Sequence, residues 1–358
     1  MVVRSQNFLG HAPQTGVRIQ EVFSYIIYHN LFMIAILGLL YNQIFFQIIK
    51  MTPDNCRISA INQQQLAAWV EQGFARSKYG KLPTYIPLLA EAKPNSLAIV
   101  IQSIDAHVIS LGSLELKCPL MSVIKPFLLL YLLCKFGNES VFKTVGIEPS
   151  EQPFNSLEQL EADGGWPRNP MINSGAIALA SLLPGKNSIE RCKNFCSWLN
   201  YQGNCQLFLD EYMLASVRSL PNHNNQAIAK KLVASGYIKD AEITLDTYNQ
   251  ICCLSGTILD VANLGMLLVK APSSDWHKHC CQVKALMTTC GLYQASSRYA
   301  VQIGIPTKSS VSGIVLGVVP GEGVIVTYSP PLNEQGNSVV GLFLLELISQ
   351  NLSLSVFY

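Results

Sequence analysis

The chain has 358 residues, of which 49% are hydrophobic and only 13% charged, which suffices for a large folded core and excludes a disordered protein. The formal net charge is +2 and no run of lysine or arginine occurs, which argues against a nucleic-acid surface. The 11 cysteines are scattered without a compact disulfide pattern, which favours reduced thiols in the cytoplasm.

The N-terminal segment differs in composition from the rest of the chain. Residues 31–49, LFMIAILGLLYNQIFFQII, are uncharged and long enough to cross a bilayer, which takes about 20 residues. Three interpretations stay open: a membrane anchor, an accessory helical hairpin, or an extension that precedes the true start at Met51. We expect residues 1–50 to be an extension and residues 51–358 to form the main domain.

A helix and a hairpin are predicted next. The stretch that begins at Asn62 has the pattern of an amphipathic helix that ends at or before Gly80. The stretches SLAIVIQSI and AHVISLG are rich in β-branched residues, and they predict a β-hairpin that turns near Asp105.

The remaining pattern places helices between two groups of strands. An apolar helix is predicted to start beside Ser122, because Pro126 is tolerated only in a first turn, and to end at Gly137. Residues 140–290 are mostly helical in pattern, and SGIVLGVVP, GVIVTYS and SVVGLFLLELISQNL then predict strand, strand and helix. This order predicts an α+β fold, with one antiparallel sheet made from both chain ends and a helical region inserted between them.

Ser122 and Lys125 are the first candidates for chemistry. Residues three apart lie on one side of a helix, so the two side chains can touch there. A serine becomes a nucleophile when a base takes its proton, and a buried lysine can act as that base because desolvation lowers its pKa. Ser-x-x-Lys serves β-lactamases and penicillin-binding proteins in this way. The competing interpretation is a lysine that extends to the surface.

A resemblance to a known family supports the first interpretation. The chain resembles the serine-dependent glutaminases, a family with a β-lactamase-like fold that occurs in bacteria and mitochondria. Lys308 and Ser309 stand where the Lys-Thr-Gly element of such folds borders the cleft. The matching stretches run in the family's order and are YIPLLA (85–90), SVIKP (122–126), VGIEPSEQPFNS (145–156), PRNPMINSGAI (167–177), LDTYNQIC (245–252), LMTTCGLY (286–293), GIPTKSSVSG (304–313) and SPPLNEQGNSVVG (329–341).

The resemblance implies a reaction and a set of site residues. Residues 51–358 would be a catalytic domain that hydrolyses L-glutamine to L-glutamate and ammonia through an acyl-enzyme, without a metal or another cofactor. Ser122 corresponds to the nucleophile and Lys125 to its general base. Tyr293, which contacts this pair and the substrate, and Tyr248, which lines the pocket, are the other expected catalytic residues. The remaining matching positions are Tyr85, which lines the pocket; Asn173 and Asn225 (with Asn224 as the alternative), which bind substrate; and Val311, whose N–H joins that of the serine in the oxyanion hole.

The resemblance also implies how the protein is organised in the cell. Family members form homodimers or homotetramers, so we expect one of these assemblies. We expect a cytoplasmic protein, with membrane contact through residues 31–49 as the alternative.

One stretch departs from the family pattern. Family members carry Ser-Glu-x-x-Thr-Gly-x-Arg-Asn-x-Ala, whose glutamate receives the α-ammonium of the substrate, whereas this chain has SVRSLPNHNNQA at 216–227. If the family pattern is aligned on Ser216, Val217 takes the position of the glutamate. If it is aligned on Ala227, Arg218 takes that position. Two family glycines are also replaced, by Ser310 and Ile314, which matters if either position needs a positive φ. The second hypothesis is therefore a degenerate family member with an altered substrate or little turnover, kept for binding or assembly.

Overall fold

Residues 56–357 are the part of the chain that this computed structural model describes. The strands in chain order are β1 (Ala98–Ser103), β2 (Val108–Gly112), β3 (Cys118–Pro119), β4 (Phe208–Leu209), β5 (Leu254–Gly256), β6 (Thr307–Ser309), β7 (Ile314–Val319) and β8 (Gly323–Tyr328). The α-helices are α1 (Gln63–Phe74), α2 (Pro87–Ala90), α3 (Lys125–Phe142), α4 (Leu157–Ala162), α5 (Asn173–Ala180), α6 (Ser188–Gly203), α7 (Glu211–Ser219), α8 (His223–Ala234), α9 (Ala241–Cys252), α10 (Ile258–Met266), α11 (Ser274–Cys290), α12 (Ser296–Gln302) and α13 (Val339–Leu352). Short 3-10 turns occupy Arg57–Ala60, Ser77–Tyr79, Met121–Ile124 and Tyr293–Ala295.

A five-stranded antiparallel sheet joins the two ends of the described chain. Its strand order is β2-β1-β8-β7-β6, so the first hairpin lies beside strands that follow some two hundred residues later. Strand β1 pairs with β8, with Ile101 opposite Ile325. The predicted α+β fold with one sheet from both chain ends is therefore confirmed. The smaller sheet β3-β5-β4 was not predicted, because strands of two or three residues carry no readable alternation.

The sheet separates two hydrophobic cores, because successive side chains of a strand point to opposite faces. Ile99 and Ile101 pack with α1 and α13 into one core. Ala98 and Val100 pack into a larger core that the inserted helices build. Strand β7 is buried along its whole length, as expected for a strand covered on both faces.

The predicted apolar helix is α3, and it runs through the larger core. Gly137 interrupts it with a φ of 74°, close to the predicted end. Within the described residues, Met121–Phe142 is long and apolar enough to span a bilayer, but 72% of its most apolar window is buried in the protein. Its apolar composition is therefore that of a core helix.

The other local predictions agree with the structure. Asn62 caps α1 by accepting a hydrogen bond from the N–H of Gln65 at 2.8 Å. The first hairpin turns at residues 104–107, where Ala106 adopts a φ of 68°. All 11 cysteines lie within the described residues and are free thiols. The predictions for residues 1–50 fall outside the described residues.

We propose that residues 51–358 fold independently, because the described residues from Ile58 onward contain two extensive hydrophobic cores. A chain truncated at Met51 should stay soluble, with a circular-dichroism spectrum and thermal midpoint close to those of the full chain. An insoluble or unfolded truncated chain would contradict this proposal. Recovery of the full chain from the membrane fraction, with the truncated chain in the supernatant, would support an anchor.

Candidate active site

Ser122 lies in the 3-10 turn that leads directly into α3. The residue before it, Met121, has a φ of 45°, in the left-handed region that residues with a side chain rarely adopt. Such strained positions persist only where the surrounding packing holds them, and Val123 and Ile124 are fully buried on the other side of the serine. The fold therefore holds Ser122 rigidly at the start of a helix, with 6% of its surface exposed.

Lys125 is completely buried. Its Nζ donates hydrogen bonds to the carbonyl oxygen of Met171 at 3.1 Å and to Oδ1 of Asn173 at 2.8 Å. Burial lowers the pKa of Lys125 to about 8, with an opposing contribution from Cys252. The interpretation of a lysine that extends to the surface is therefore wrong. Among the described residues, Lys125 makes no direct hydrogen bond to Ser122.

Asn173 connects the lysine to the other polar side chains. Its Oδ1 also accepts from the hydroxyl of Tyr248 at 3.0 Å, and its Nδ2 donates to Oδ1 of Asn225 at 2.9 Å. Asn225 is buried in the first turn of α8, whereas Asn224 is exposed. Of the two asparagines that the sequence left open, Asn225 is therefore the one in contact with Asn173.

Asn169 holds this network in place, and the sequence did not single it out. Its Oδ1 accepts from the N–H groups of Met171 at 3.0 Å and Ile172 at 3.2 Å, and its Nδ2 donates to the carbonyl of Glu148 at 2.7 Å. A Cβ on Gly175 would lie 1.9 Å from the carbonyl oxygen of Asn169, so only glycine lets α5 pack against this turn. The Asn-Pro pair at the start of the turn was the available sequence signal.

Tyr293 approaches from the opposite side, in the 3-10 turn after α11, with a φ of 58°. Burial raises its pKa to about 12, against the opposing effect of hydrogen bonding to Ser122 and Ser309. The Nζ of Lys308 lies 4.2 Å from the centre of the Tyr293 ring. That ammonium donates to the carbonyl oxygens of Gly291 at 2.9 Å and Ser309 at 2.7 Å.

Lys308 is thus a second fully buried lysine at this site. Burial lowers its pKa well below the usual value, and the charge of Lys125 lowers it further. The sequence placed Lys308 at the border of the cleft without assigning it a role. Its contacts identify it as a support for Tyr293.

A cavity of about 370 Å³ opens in front of Ser122. Lys125 and Tyr293 are buried and are not among the residues that line it, and Tyr293 borders a separate cavity. The described residues contain no group of three or more His, Cys, Asp or Glu side chains that could hold a metal ion. The predicted site residues that line the cavity are Tyr85, Ser122, Asn173, Asn225, Tyr248 and Val311.

Several of residues 216–227, the stretch that departs from the family pattern, also line the cavity. Val217 lines it, whereas Arg218 turns away and forms an ion pair with Asp246, with 2.5 Å between Nη2 and Oδ1. The hydroxyl of Ser216 accepts from the N–H of Leu88 at 2.9 Å, which fixes the orientation of this part of α7. The alignment on Ser216 is therefore the one that agrees with the structure.

The replaced glycines cause no backbone strain. Among the described residues, those with positive φ do not include Ser310 or Ile314, and the left-handed position of this turn is taken by Gly313 with a φ of 98°. Val311 lies in the same turn and is 7% exposed at the cavity.

Comparison with known proteins identifies the family of the chain. A family model described as Glutaminase matches residues 80–357. The chain belongs to the glutaminase family. It is 45% identical over 293 residues to a glutaminase of Synechocystis sp., a match that covers 81% of this chain and 90% of that protein.

Solved glutaminase structures share the fold. A probable glutaminase from Bacillus subtilis complexed with 6-diazo-5-oxo-L-norleucine superimposes with a TM-score of 0.74 at 29% identity, over 83% of this chain and 97% of that chain. The covalent complex between a Bacillus subtilis glutaminase and 5-oxo-L-norleucine, formed by reaction with 6-diazo-5-oxo-L-norleucine, superimposes with a TM-score of 0.73 at 29% identity, over 82% and 99%. The predicted family resemblance is confirmed.

Arg218→Ala should leave substrate affinity unchanged, because the Arg218 side chain points away from the cavity and is 47% exposed. We expect the KM for L-glutamine to change by less than about twofold, or about 0.4 kcal/mol. Loss of the exposed ion pair should lower the free energy of unfolding by about 0.2–1 kcal/mol in urea titrations. Val217→Ala is the matched comparison, because it alters the cavity wall. A tenfold rise in KM on removing Arg218 would show that this side chain reaches the substrate.

Proposed function

We propose that the chain hydrolyses the side-chain amide of L-glutamine to L-glutamate and ammonia, with Ser122 as nucleophile and Lys125 as general base. The observation that carries this proposal is the setting of Lys125, a fully buried lysine with a pKa lowered to about 8. A lysine of ordinary pKa would be almost fully protonated at neutral pH and could not accept the proton of the serine. Membership of the glutaminase family supports the choice of amide.

Burial favours the base form of Lys125, and its two hydrogen-bond partners orient that base. A neutral lysine amine has two N–H donors and one lone pair. The carbonyl of Met171 and Oδ1 of Asn173 accept the two N–H donors, which leaves the lone pair for the proton of Ser122. Catalytic hydrogen bonds often tighten only when substrate is bound, so the present separation of serine and lysine is compatible with this transfer.

The proposed reaction follows from this proton transfer. The Ser122 oxygen attacks the amide carbon, its proton moves to Lys125, and the carbonyl oxygen becomes an oxyanion. The carbon–nitrogen bond then breaks, and the departing nitrogen takes the proton from Lys125 and leaves as ammonia. Water attacks the resulting ester by the same route and releases L-glutamate. The covalent complex of the Bacillus subtilis glutaminase named above supports a covalent route in the family.

Backbone N–H groups of Ser122 and Val311 are the proposed oxyanion donors. Among the described residues, no hydrogen bond uses either N–H, and both residues border the cavity. Donors held in place before the reaction stabilise the developing charge without reorganisation. Tyr293, protonated below its pKa of about 12, would serve as a hydrogen-bond donor beside Ser122.

The proposed substrate-binding residues include four further side chains that line the cavity. Asn173 and Asn225 present amide groups, and Tyr248 and Tyr85 present hydroxyl groups and aromatic surface. Such groups bind a polar substrate without adding a fixed charge. We propose that the protein works without a cofactor and as a homodimer or homotetramer. A cytoplasmic location, and membrane contact through residues 31–49, stay predictions.

Ser122→Ala should abolish ammonia release from L-glutamine, because it removes the attacking oxygen and little else. The thermal midpoint should stay close to that of the wild type. Ammonia is measured with a coupled glutamate dehydrogenase assay on the purified full chain. If turnover persists above a few per cent, another group is the nucleophile.

Lys125→Arg should be almost as inactive as Lys125→Ala in the same assay. A guanidinium is never deprotonated in proteins, so it keeps the positive charge but cannot accept a proton. Calorimetric unfolding of both variants controls for loss of the fold. Substantial activity in the arginine variant would mean that the charge and not the basicity of Lys125 matters.

The pH profile should follow the base form of Lys125. Below its pKa of about 8, kcat/KM should fall about tenfold per pH unit, and it should level off above it. Cys252 and Tyr293 have pKa values raised to about 11 and 12, and burial also raises that of Tyr248, so all three stay protonated over this range. Loss of this titration in Lys308→Arg would assign it to Lys308 instead.

The titration of Lys125 should also make the stability of the fold depend on pH. Its folded-state pKa of about 8 lies below the ordinary value of 10.5, so the unfolded chain binds more protons between these two values. The free energy of unfolding should therefore rise with pH through this window, to the extent that Lys125 dominates it. Lys125→Met should flatten this rise in urea titrations.

A further inference from the structure

One wall of the cavity in front of Ser122 is apolar. Val217, at the end of α7, is partly buried, and Leu220 and Pro221 follow in the loop to α8. Leu220 is 48% exposed, so this wall continues outward to the cavity mouth. Among the described residues that line the cavity there is no aspartate or glutamate.

Two acidic residues on the neighbouring elements, Asp246 and Asp210, have other partners, and Glu211 and Glu242 do not line the cavity. Asp246 on α9 accepts hydrogen bonds from Ser188 and Gln250 and is paired with Arg218. Asp210 caps α7 through the N–H of Met213 and accepts from Ser255. None of these contacts leaves a carboxylate directed into the cavity.

This wall is unfavourable for a free α-ammonium. L-glutamine carries a positive α-nitrogen and a negative α-carboxylate, and each loses water on entering a cavity. A desolvated charge without an opposite partner is strongly disfavoured. Lys125, which contacts Asn173, is an amine and supplies no negative charge in either protonation state.

A substrate without that positive charge matches the cavity better. Its carboxylate can accept from the asparagine amides and the Tyr85 hydroxyl, while an uncharged group on the α-nitrogen would lie against Val217 and Leu220. An acyl group removes the basicity of the nitrogen and adds apolar surface for this wall.

We propose that the preferred substrate is a glutamine side-chain amide whose α-nitrogen is acylated, that is, an N-acyl-L-glutamine. The inference rests on the amide hydrolysis proposed above and concerns only the far end of the substrate. The reaction is the same: water replaces the side-chain nitrogen, and N-acyl-L-glutamate and ammonia are released. No oxidant or second substrate is needed.

The test compares N-acetyl-L-glutamine with L-glutamine on the purified full chain. Wild type should hydrolyse the acetylated amide with a kcat/KM at least about tenfold higher, which corresponds to about 1.4 kcal/mol. Val217→Glu should reverse this order, because it supplies a carboxylate for the ammonium and removes the apolar contact. Val217→Gln is the matched control, since it has the same size as glutamate without the charge, and it should not favour L-glutamine.

The outcomes separate this inference from the proposed function. Equal or faster hydrolysis of L-glutamine by wild type would overturn the inference and leave the glutaminase reaction standing. If neither amide released ammonia, the proposed function would fail. Calorimetric titration of Ser122→Ala with both amides then tests the preference alone: tighter binding of N-acetyl-L-glutamine supports it, and equal, weaker or undetectable binding overturns it.

Discussion

The burial of Lys125 is the constraint on which the rest of the site depends. A charged amine without solvent is costly, so its surroundings must supply acceptors and favour the neutral form. The carbonyl of Met171 and the amide of Asn173 are these acceptors, and Asn169 fixes the turn before Asn173 through hydrogen bonds to Met171, Ile172 and Glu148. The surrounding helices of the larger core remove water and thereby lower the pKa of the lysine. A stretch of chain that looks like a simple loop in the sequence is thus a hydrogen-bonded support for the proposed base.

The sheet contributes to the same site by joining distant parts of the chain. Ser122 follows strand β3, whereas Val311 sits in the turn between β6 and β7. The pairing of β1 with β8 brings these ends together. Met121 and Tyr293, which flank the proposed nucleophile, both have positive φ. Non-glycine residues tolerate this conformation only where packing compensates for it, which is typical of functional sites.

The inserted helices form the wall of the cavity that faces the far end of the proposed substrate. Helix α7 presents Val217 to the cavity and directs Arg218 to Asp246, so the part of the wall that α7 forms is apolar and not positive. The cavity therefore combines a proposed catalytic pair typical of the family with a changed wall at the far end of the substrate. In this way one substitution can alter substrate choice while the chemistry at Ser122 stays the same, because the two ends of the cavity are built by different elements.

The sequence by itself determined the family, the α+β order of elements and the spacing of Ser122 and Lys125, because periodicity, turn residues and short motifs depend on neighbours in the chain. It also identified Asn173, Tyr248, Tyr293, Val311 and Tyr85 through matched stretches, and the structure brings them together around Ser122. Tertiary structure alone decided between Asn225 and Asn224 and between Val217 and Arg218, since a one-residue shift on a helix turns a different side chain inward. It also revealed Asn169 and the contact of Lys308 with Tyr293, because these interactions join segments whose packing no local pattern encodes.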